Sequence, residues 1–202
     1  MSTKVKPAED AVNTIVSAIE QRLGGRDDPL VVAIDGKSGV GKTAIAKEVV
    51  NRLGAVNVLC DDFFTGGHND FWAKRTTQQK IDNVIDWERI KKEVILPLKS
   101  GKKATWHPFD WKKFEGLSPK LISAEPQKVV ILDGAFSNRP ELRDVIDYSI
   151  LVEAPKEVHV SRVKQREGEE YSDDWHKTWE ESMEYYFAKI SPPETFDLIV
   201  QN

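Results

Sequence analysis

Between Val31 and Val50 the chain reads VVAIDGKSGVGKTAIAKEVV, and this stretch constrains the fold more than any other. VVAID (31–35) is too continuously apolar for a half-exposed strand and suits a central strand of a parallel sheet. Gly36-Lys37-Ser38-Gly39-Val40-Gly41-Lys42-Thr43 satisfies GxxxxGK[ST] in full, and a helical segment follows from Lys42 to Leu53. Each part has a mechanical reason. The glycines let backbone N–H groups turn inward around a phosphate in conformations that side chains would obstruct. The helix start adds its positive dipole end. Lys42 is placed to bridge β- and γ-phosphate oxygens, and the Thr43 hydroxyl to ligate Mg²⁺. A strand before the loop and a helix after it are the context this motif requires, so nucleotide binding follows.

The rest of the chain repeats the alternation. A helical face runs over Ala8–Leu23 and ends at Gly24-Gly25. VNVLC (56–60), VVILDG (129–134), YSILVEA (148–154) and LIV (198–200) read as further strands. Helices are expected over Trp87–Leu98, ending near Pro97, around Pro140–Ile146, over Lys156–Glu167, and from Asp174 to Ile190 with Asp173 as cap. Thr65 to Asp86 carries no clear assignment, and KATWHPFDWKKF (103–114) suits a short strand or hairpin. Strands alternating with helices imply a three-layer α/β/α fold around a mainly parallel, five-stranded sheet. A single domain is expected over 1–202, with an N-terminal helix in 1–25. Ligands in such sheets sit beyond the carboxyl ends of the strands, here marked by Asp35, Asp61 and Asp133.

Composition narrows the class. A net charge of -4 gives no global reason to expect nucleic acid. The single cysteine, Cys60, excludes a disulfide framework or a multi-cysteine zinc site and reads as a packed thiol. His68, His107, His159 and His176 form no HxH or HxxxH pair. No apolar run has the length of a membrane span or a secretory core, so a cytoplasmic location and no membrane partner are expected. Oligomeric state is open between monomer and homodimer.

Binding a nucleotide is not yet a function. A hydrolase needs a residue that orients water, often an acid after the metal-associated Asp of a later strand. Here Gly134 follows Asp133. No NKxD guanine-reading sequence occurs, and the loop lacks the GxGxxG spacing of dinucleotide sites. These absences favour transfer to a bound acceptor. Asp61 and Asp62 close the second strand and either face the γ-phosphate across the crevice or cap a turn.

GKSGVGKT followed by LCDDFF resembles the uridine kinase, nicotinamide riboside kinase and phosphoribulokinase superfamily of P-loop small-molecule kinases. The resemblance spans most of Leu30 to Val200 and implies an acceptor-binding insertion over about 65–118 and a lid over about 162–175. It implies ATP and Mg²⁺ as cofactors, Asp61 as catalytic base, and Asp62, Phe63 and Phe64 as the remainder of that element. VVILDG is similar to a strand ending in Glu-Gly, so Asp133 would take the metal-side acid's place. Residues 86–111 resemble the acceptor-side insertion, with Phe109-Asp110-Trp111 in place of a Tyr-Asp-aromatic segment. Asp82, Asp86, His107, Phe109 and Asp110 are accordingly acceptor-side candidates, together with Asp62 and Phe64. SRVKQREGEEYSDDW (161–175) is similar to the lid, with Arg162 and Arg166 one helical turn apart and able to grip phosphate oxygens. Arg139 and Lys164 are weaker candidates. The aromatics Phe71, Trp72, Trp106, Trp111 and Phe114 either stack on an acceptor or form the insertion's own core, and Gly66-Gly67 suits either a closing loop or a turn.

The resemblance points to phosphorylation of a nucleoside or nucleoside-like hydroxyl. A sugar, an amino-acid-like alcohol or a nucleoside antibiotic stays open as acceptor, and so does a nucleotide-binding switch without transfer.

Overall fold

The computed structural model describes residues 8–168 and 172–202. Among them, five strands form one parallel sheet: β1 (Leu30–Asp35), β2 (Val56–Leu59), β5 (Val129–Asp133), β6 (Tyr148–Glu153) and β7 (Leu198–Gln201). Their order is β2-β5-β1-β6-β7. β1 therefore lies at the centre, and all six of its residues are buried. Alternate side chains serve opposite faces, as the two-residue period requires. Leu30, Val32 and Ile34 pack with α1 (Glu9–Leu23) and α2 (Lys42–Leu53), while Val31 joins Val58, Val130 and Leu132 against the other layer. α2 stops at Gly54, whose φ of 62° is a left-handed cap that a side chain would strain.

The second layer is built largely by the segment between β2 and β5. The stretch without an assignment contains α3 (Asn69–Ala73) and α4 (Thr77–Asn83), the latter opened by a capping box of Thr76 and Gln79. A helical path then runs through α5 (Trp87–Arg89), a π-helical stretch at Ile90–Ile95, and α6 (Leu96–Lys99). It continues past Pro97 rather than ending before it. Pro97 lies in the first turn of α6, where its missing N–H costs least, and the wider π turns precede it. β3 (Ala104–Trp106) pairs antiparallel with β4 (Ile122–Ala124), a strand the sequence pattern did not reveal.

Three further boundaries differ from expectation. β2 ends at Leu59, and Cys60–Phe63 form a 3-10 turn. Pro140–Leu142 is only a 3-10 turn rather than a longer helix. α7 (Lys156–Glu167) has the expected bounds, whereas α8 (Asp173–Tyr185) is capped by Ser172, which accepts from Trp175 N, not by Asp173. A π-helical turn, Tyr186–Ile190, completes α8. Trp175 and Trp179 of α8 pack against the core of the second layer. No helix among the described residues is long and apolar enough to cross a membrane.

Candidate active site

The loop from Gly36 to Thr43 rises from the central strand into α2. Gly36, Gly39 and Gly41 have φ of 145°, 80° and 101°. Space matters as much as torsion at two of them: a Cβ at Gly36 would collide with the Val152 carbonyl, and one at Gly39 with the His159 carbonyl. The glycines thus seat the loop against β6 and α7. Lys42 is buried, and its Nζ donates to Gly36 O at 2.7 Å and Lys37 O at 2.8 Å. Burial lowers its pKa, and the charges of Asp133, Asp35 and Asp61 oppose that shift. Thr43, one residue on, is exposed at the mouth of the crevice.

Two carboxylates enter the same crevice from neighbouring strand ends. Asp133 closes β5, in register with Leu59 of β2 and Ile34 of β1. Both of its oxygens are buried without a hydrogen-bond partner. Burial raises its pKa to about 6, against the Lys42 charge and the neighbouring Thr43 hydroxyl, while Asp61 adds repulsion. Asp61 stands in the 3-10 turn after β2, open to water yet crowded on its other sides. That crowding raises its pKa, and Lys42 and Arg166 act in the opposite direction.

The approach of this turn depends on Gly134. A Cβ there would meet the Cβ and Sγ of buried Cys60, so position 134 has no room for the acid that a water-activating site would carry. Cys60 is therefore a packing surface, and burial lifts its thiol pKa well above the usual value.

The remaining candidates separate into two groups. Arg162 Nη1 donates to Val40 O at 3.3 Å and so lies on the phosphate loop. Arg166 is largely exposed and pairs with Glu167 at 3.0 Å, while its charge reaches both Lys42 and Asp61. The lid span around them runs partly outside the described residues. The acceptor-side candidates have internal partners instead. Asp62 Oδ2 accepts from Trp106 Nε1 at 3.0 Å, and its carbonyl accepts from Phe109 N at 2.6 Å. Phe64 and Phe109 meet edge to face at 5.0 Å within a cluster that includes Trp72, Trp111 and Phe114. Asp110 accepts from the amides of Lys112 and Lys113, an Asp-capped turn. Asp86 caps α5 through Arg89 N, and Asp82 pairs with Arg139 at 3.1 Å. His107 Nδ1 lies 3.0 Å from Ser118 O. Arg139 is buried against Ile81 O, Glu141 and the Trp87 ring. Asp35, fully buried beneath the loop, is the group that motif reading left without a role. Its signal was a charged residue at the end of an otherwise apolar strand.

A full GxxxxGK[ST] loop on the central strand of a parallel sheet, with carboxylates at adjoining strand ends, defines a P-loop nucleotide-binding protein. The family described as "AAA domain" matches residues 32–185, and the chain belongs to it. The likeness to uridine kinases expected from GKSGVGKT and LCDDFF is also found. A uridine kinase of Ligilactobacillus salivarius is 27% identical over 149 residues, covering 70% of this chain and 68% of that one. "Inorganic pyrophosphatase TTM2" of Arabidopsis thaliana is 26% identical over 181 residues, covering 85% of this chain. The chain spans 26% of that pyrophosphatase's length. Among solved structures, a possible uridine kinase from Bacillus stearothermophilus superposes with a TM-score of 0.71 at 18% identity, covering 94% of this chain and 97% of that one. A D-glycerate 3-kinase from Cryptococcus neoformans gives 0.64 at 16% identity, covering 94% and 95%. Identities this low establish the shared fold.

Proposed function

We propose that the protein is an ATP-dependent phosphotransferase that moves the γ-phosphate to a hydroxyl of a small metabolite, a nucleoside or nucleoside-like compound first. The observation that carries this reading is the buried, unpartnered Asp133 carboxylate flanked by Thr43, Lys42 and Asp61. Its donor set, one carboxylate and one hydroxyl beside a phosphate loop, fits Mg²⁺, which keeps several waters and takes few protein oxygens. When bound, Mg²⁺ would supply neutralising positive charge for the phosphates.

The chain's own residues supply the rest. Amides of the loop beyond Gly36, whose own N–H is held by Asp35, cradle the phosphates, and Lys42 exchanges the carbonyls of Gly36 and Lys37 for phosphate oxygens. Asp61 accepts the proton of the acceptor hydroxyl as its oxygen bonds to the γ-phosphorus and the bond to the ADP oxygen breaks. A raised pKa makes it the better base. Arg162 and Arg166 neutralise charge on the transferring group. The closed position at Gly134 supports transfer over hydrolysis, because no side chain fits where an acid would activate water.

The test is ADP formation from Mg²⁺-ATP with panels of nucleosides, sugars and hydroxy acids, with pyrophosphate as a separate substrate. At least one hydroxyl compound should stimulate turnover, and Asp61→Asn should lower that rate by about 10²- to 10⁴-fold, the usual range for a positioned base, with ATP affinity kept. If no acceptor raises ADP formation above its basal rate, the transfer reading fails and a nucleotide-binding switch replaces it. Pyrophosphate cleavage alone would point instead to the chemistry named for the plant relatives.

A further inference from the structure

Asp35 is a fully buried carboxylate for which the phosphoryl-transfer scheme has no use. Its hydrogen bonds show what it holds. Oδ1 accepts from Gly36 N at 2.7 Å and Phe136 N at 3.0 Å. Oδ2 accepts from Asn138 N at 3.0 Å and from the Tyr186 hydroxyl at 2.8 Å. One side chain thus ties together the first glycine of the phosphate loop, the loop after β5 and the end of α8.

Each attachment is stiff. Phe136 has a φ of 64°, a left-handed conformation costly for an aromatic residue, and its amide is fixed by Asp35. The Phe136 ring meets the Tyr186 ring edge to face at 5.0 Å. Asn138 Nδ2 donates to Ser191 Oγ at 2.9 Å, and Ser191 Oγ donates back to Asn138 O at 3.0 Å. Ser191 N closes the π-helical turn by donating to Tyr186 O at 2.9 Å. Tyr186 itself is fully buried.

From this joint α8 runs back 13 residues to Asp173, about 20 Å of helix. Along the way Trp179 meets Trp72 of the insertion at 5.4 Å, and His176 pairs with Glu167 at the end of the helix that carries Arg162 and Arg166. The far end of α8 therefore borders the span expected to close over phosphate, and its near end is bonded to the carboxylate that fixes Gly36.

We propose that Asp35 is a positioning residue for the phosphate loop, and that its hydrogen bond from Tyr186 couples occupancy of that loop to the order of α8. The inference rests on the nucleotide-binding reading of the loop and is independent of the acceptor. A coupling of this kind is reciprocal: if nucleotide orders α8, weakening the α8 joint must weaken nucleotide binding by the same factor.

Hydrogen exchange with and without ADP, together with calorimetric ADP affinity, tests it. In the wild type, ADP should slow exchange both in 36–44 and in 173–190. Tyr186→Phe keeps the ring and removes only the hydroxyl. It should retain ADP-dependent protection in 36–44, lose most of it in 173–190, and bind ADP about 3- to 10-fold more weakly, the range of modest coupling. Asp35→Asn should give the same decoupling from the other end of the bond. Ser182→Ala removes a hydrogen bond within α8, from Ser182 Oγ to Thr178 O, made by a side chain that bonds neither Asp35 nor Tyr186, and should lower the melting temperature while leaving protection of 173–190 by ADP intact. Unchanged protection and affinity in Tyr186→Phe, or equal decoupling in Ser182→Ala, would overturn the assignment. No ADP binding by the wild type would instead refute the nucleotide reading beneath it.

Discussion

A carboxylate buried as deeply as Asp133, with only the Thr43 hydroxyl and the Lys42 charge to offset its burial, is a costly group in a metal-free protein. The rise of its pKa from 3.8 to about 6 corresponds to about 3 kcal/mol. The sign follows from proton counting. Between pH 4 and 6 the folded protein holds a proton that the unfolded chain has released, so stability is lost as pH rises through this window and the full cost stands above it. Asp133→Asn removes the titration. Unfolding of the metal-free proteins by urea across this pH range should therefore show the wild type losing about 3 kcal/mol relative to the variant. Parallel pH profiles would mean that the Asp133 oxygens have donors in solution. Gly134 imposes a second constraint at this scale. Gly134→Ala should cost about 1–3 kcal/mol, the usual range for overpacking, because its Cβ meets that of Cys60. Cys60→Gly in the same chain removes the opposing Cβ, so a double-mutant cycle should show a favourable coupling; strict additivity would locate the cost elsewhere.

Among elements, the β3–β4 hairpin is bonded to the turn that carries Asp61. Trp106 Nε1 donates to Asp62 Oδ2, and Phe109 N donates to Asp62 O. The hairpin thereby sets the carboxylate next to the proposed base. Trp106→Phe keeps most of the ring, which stacks on Phe63 at 6.1 Å, and deletes the donor. It should lower the acceptor-stimulated rate several-fold and leave ATP affinity unchanged, as paired titrations of acceptor and nucleotide would reveal; equal loss of both would make the bond merely structural. This link also shows where sequence reading stops. α2 and α7 were legible at their true ends because glycine stops and apolar spacing are local signals. The Asp62–Trp106 bond joins residues 44 apart, and the Asp35–Tyr186 bond residues 151 apart, separations that no spacing rule encodes. The π turns before Pro97 were equally hidden, since they are held by the burial of Ile90, Val94, Ile95 and Leu98 against the second layer.

On the scale of the whole molecule, the parallel sheet brings strand ends far apart in sequence to one crevice, and its charge is unbalanced. The fields of Asp35, Asp61 and Asp133 converge on one buried lysine, Lys42, in a chain with a formal net charge of -4. ATP bound as proposed would add further negative charge at the same place, so its binding should depend on cations supplied from outside as well as on the proposed phosphate-gripping Arg162 and Arg166. The motif made the donor half of this site legible, because phosphate recognition is written in contiguous residues 36–43. The proposed acceptor half would draw on side chains such as Asp62, Phe64 and Phe109, whose partners only folding reveals. The charge imbalance yields a measurement on the intact protein. A ligand present at 100 times its Kd stabilises by about 2.7 kcal/mol, which for a chain of this size raises the melting temperature by about 5–10 °C. ATP with Mg²⁺ should produce a shift of that order, and ATP with EDTA a much smaller one, because uncompensated phosphates would face Asp133 and Asp61. Asp133→Asn should narrow the gap between the two conditions by removing both a metal oxygen and one repelling charge. Equal shifts with Mg²⁺ and with EDTA in the wild type would show that Lys42 and the arginines balance the nucleotide alone, leaving the Asp133 oxygens without a metal to hold.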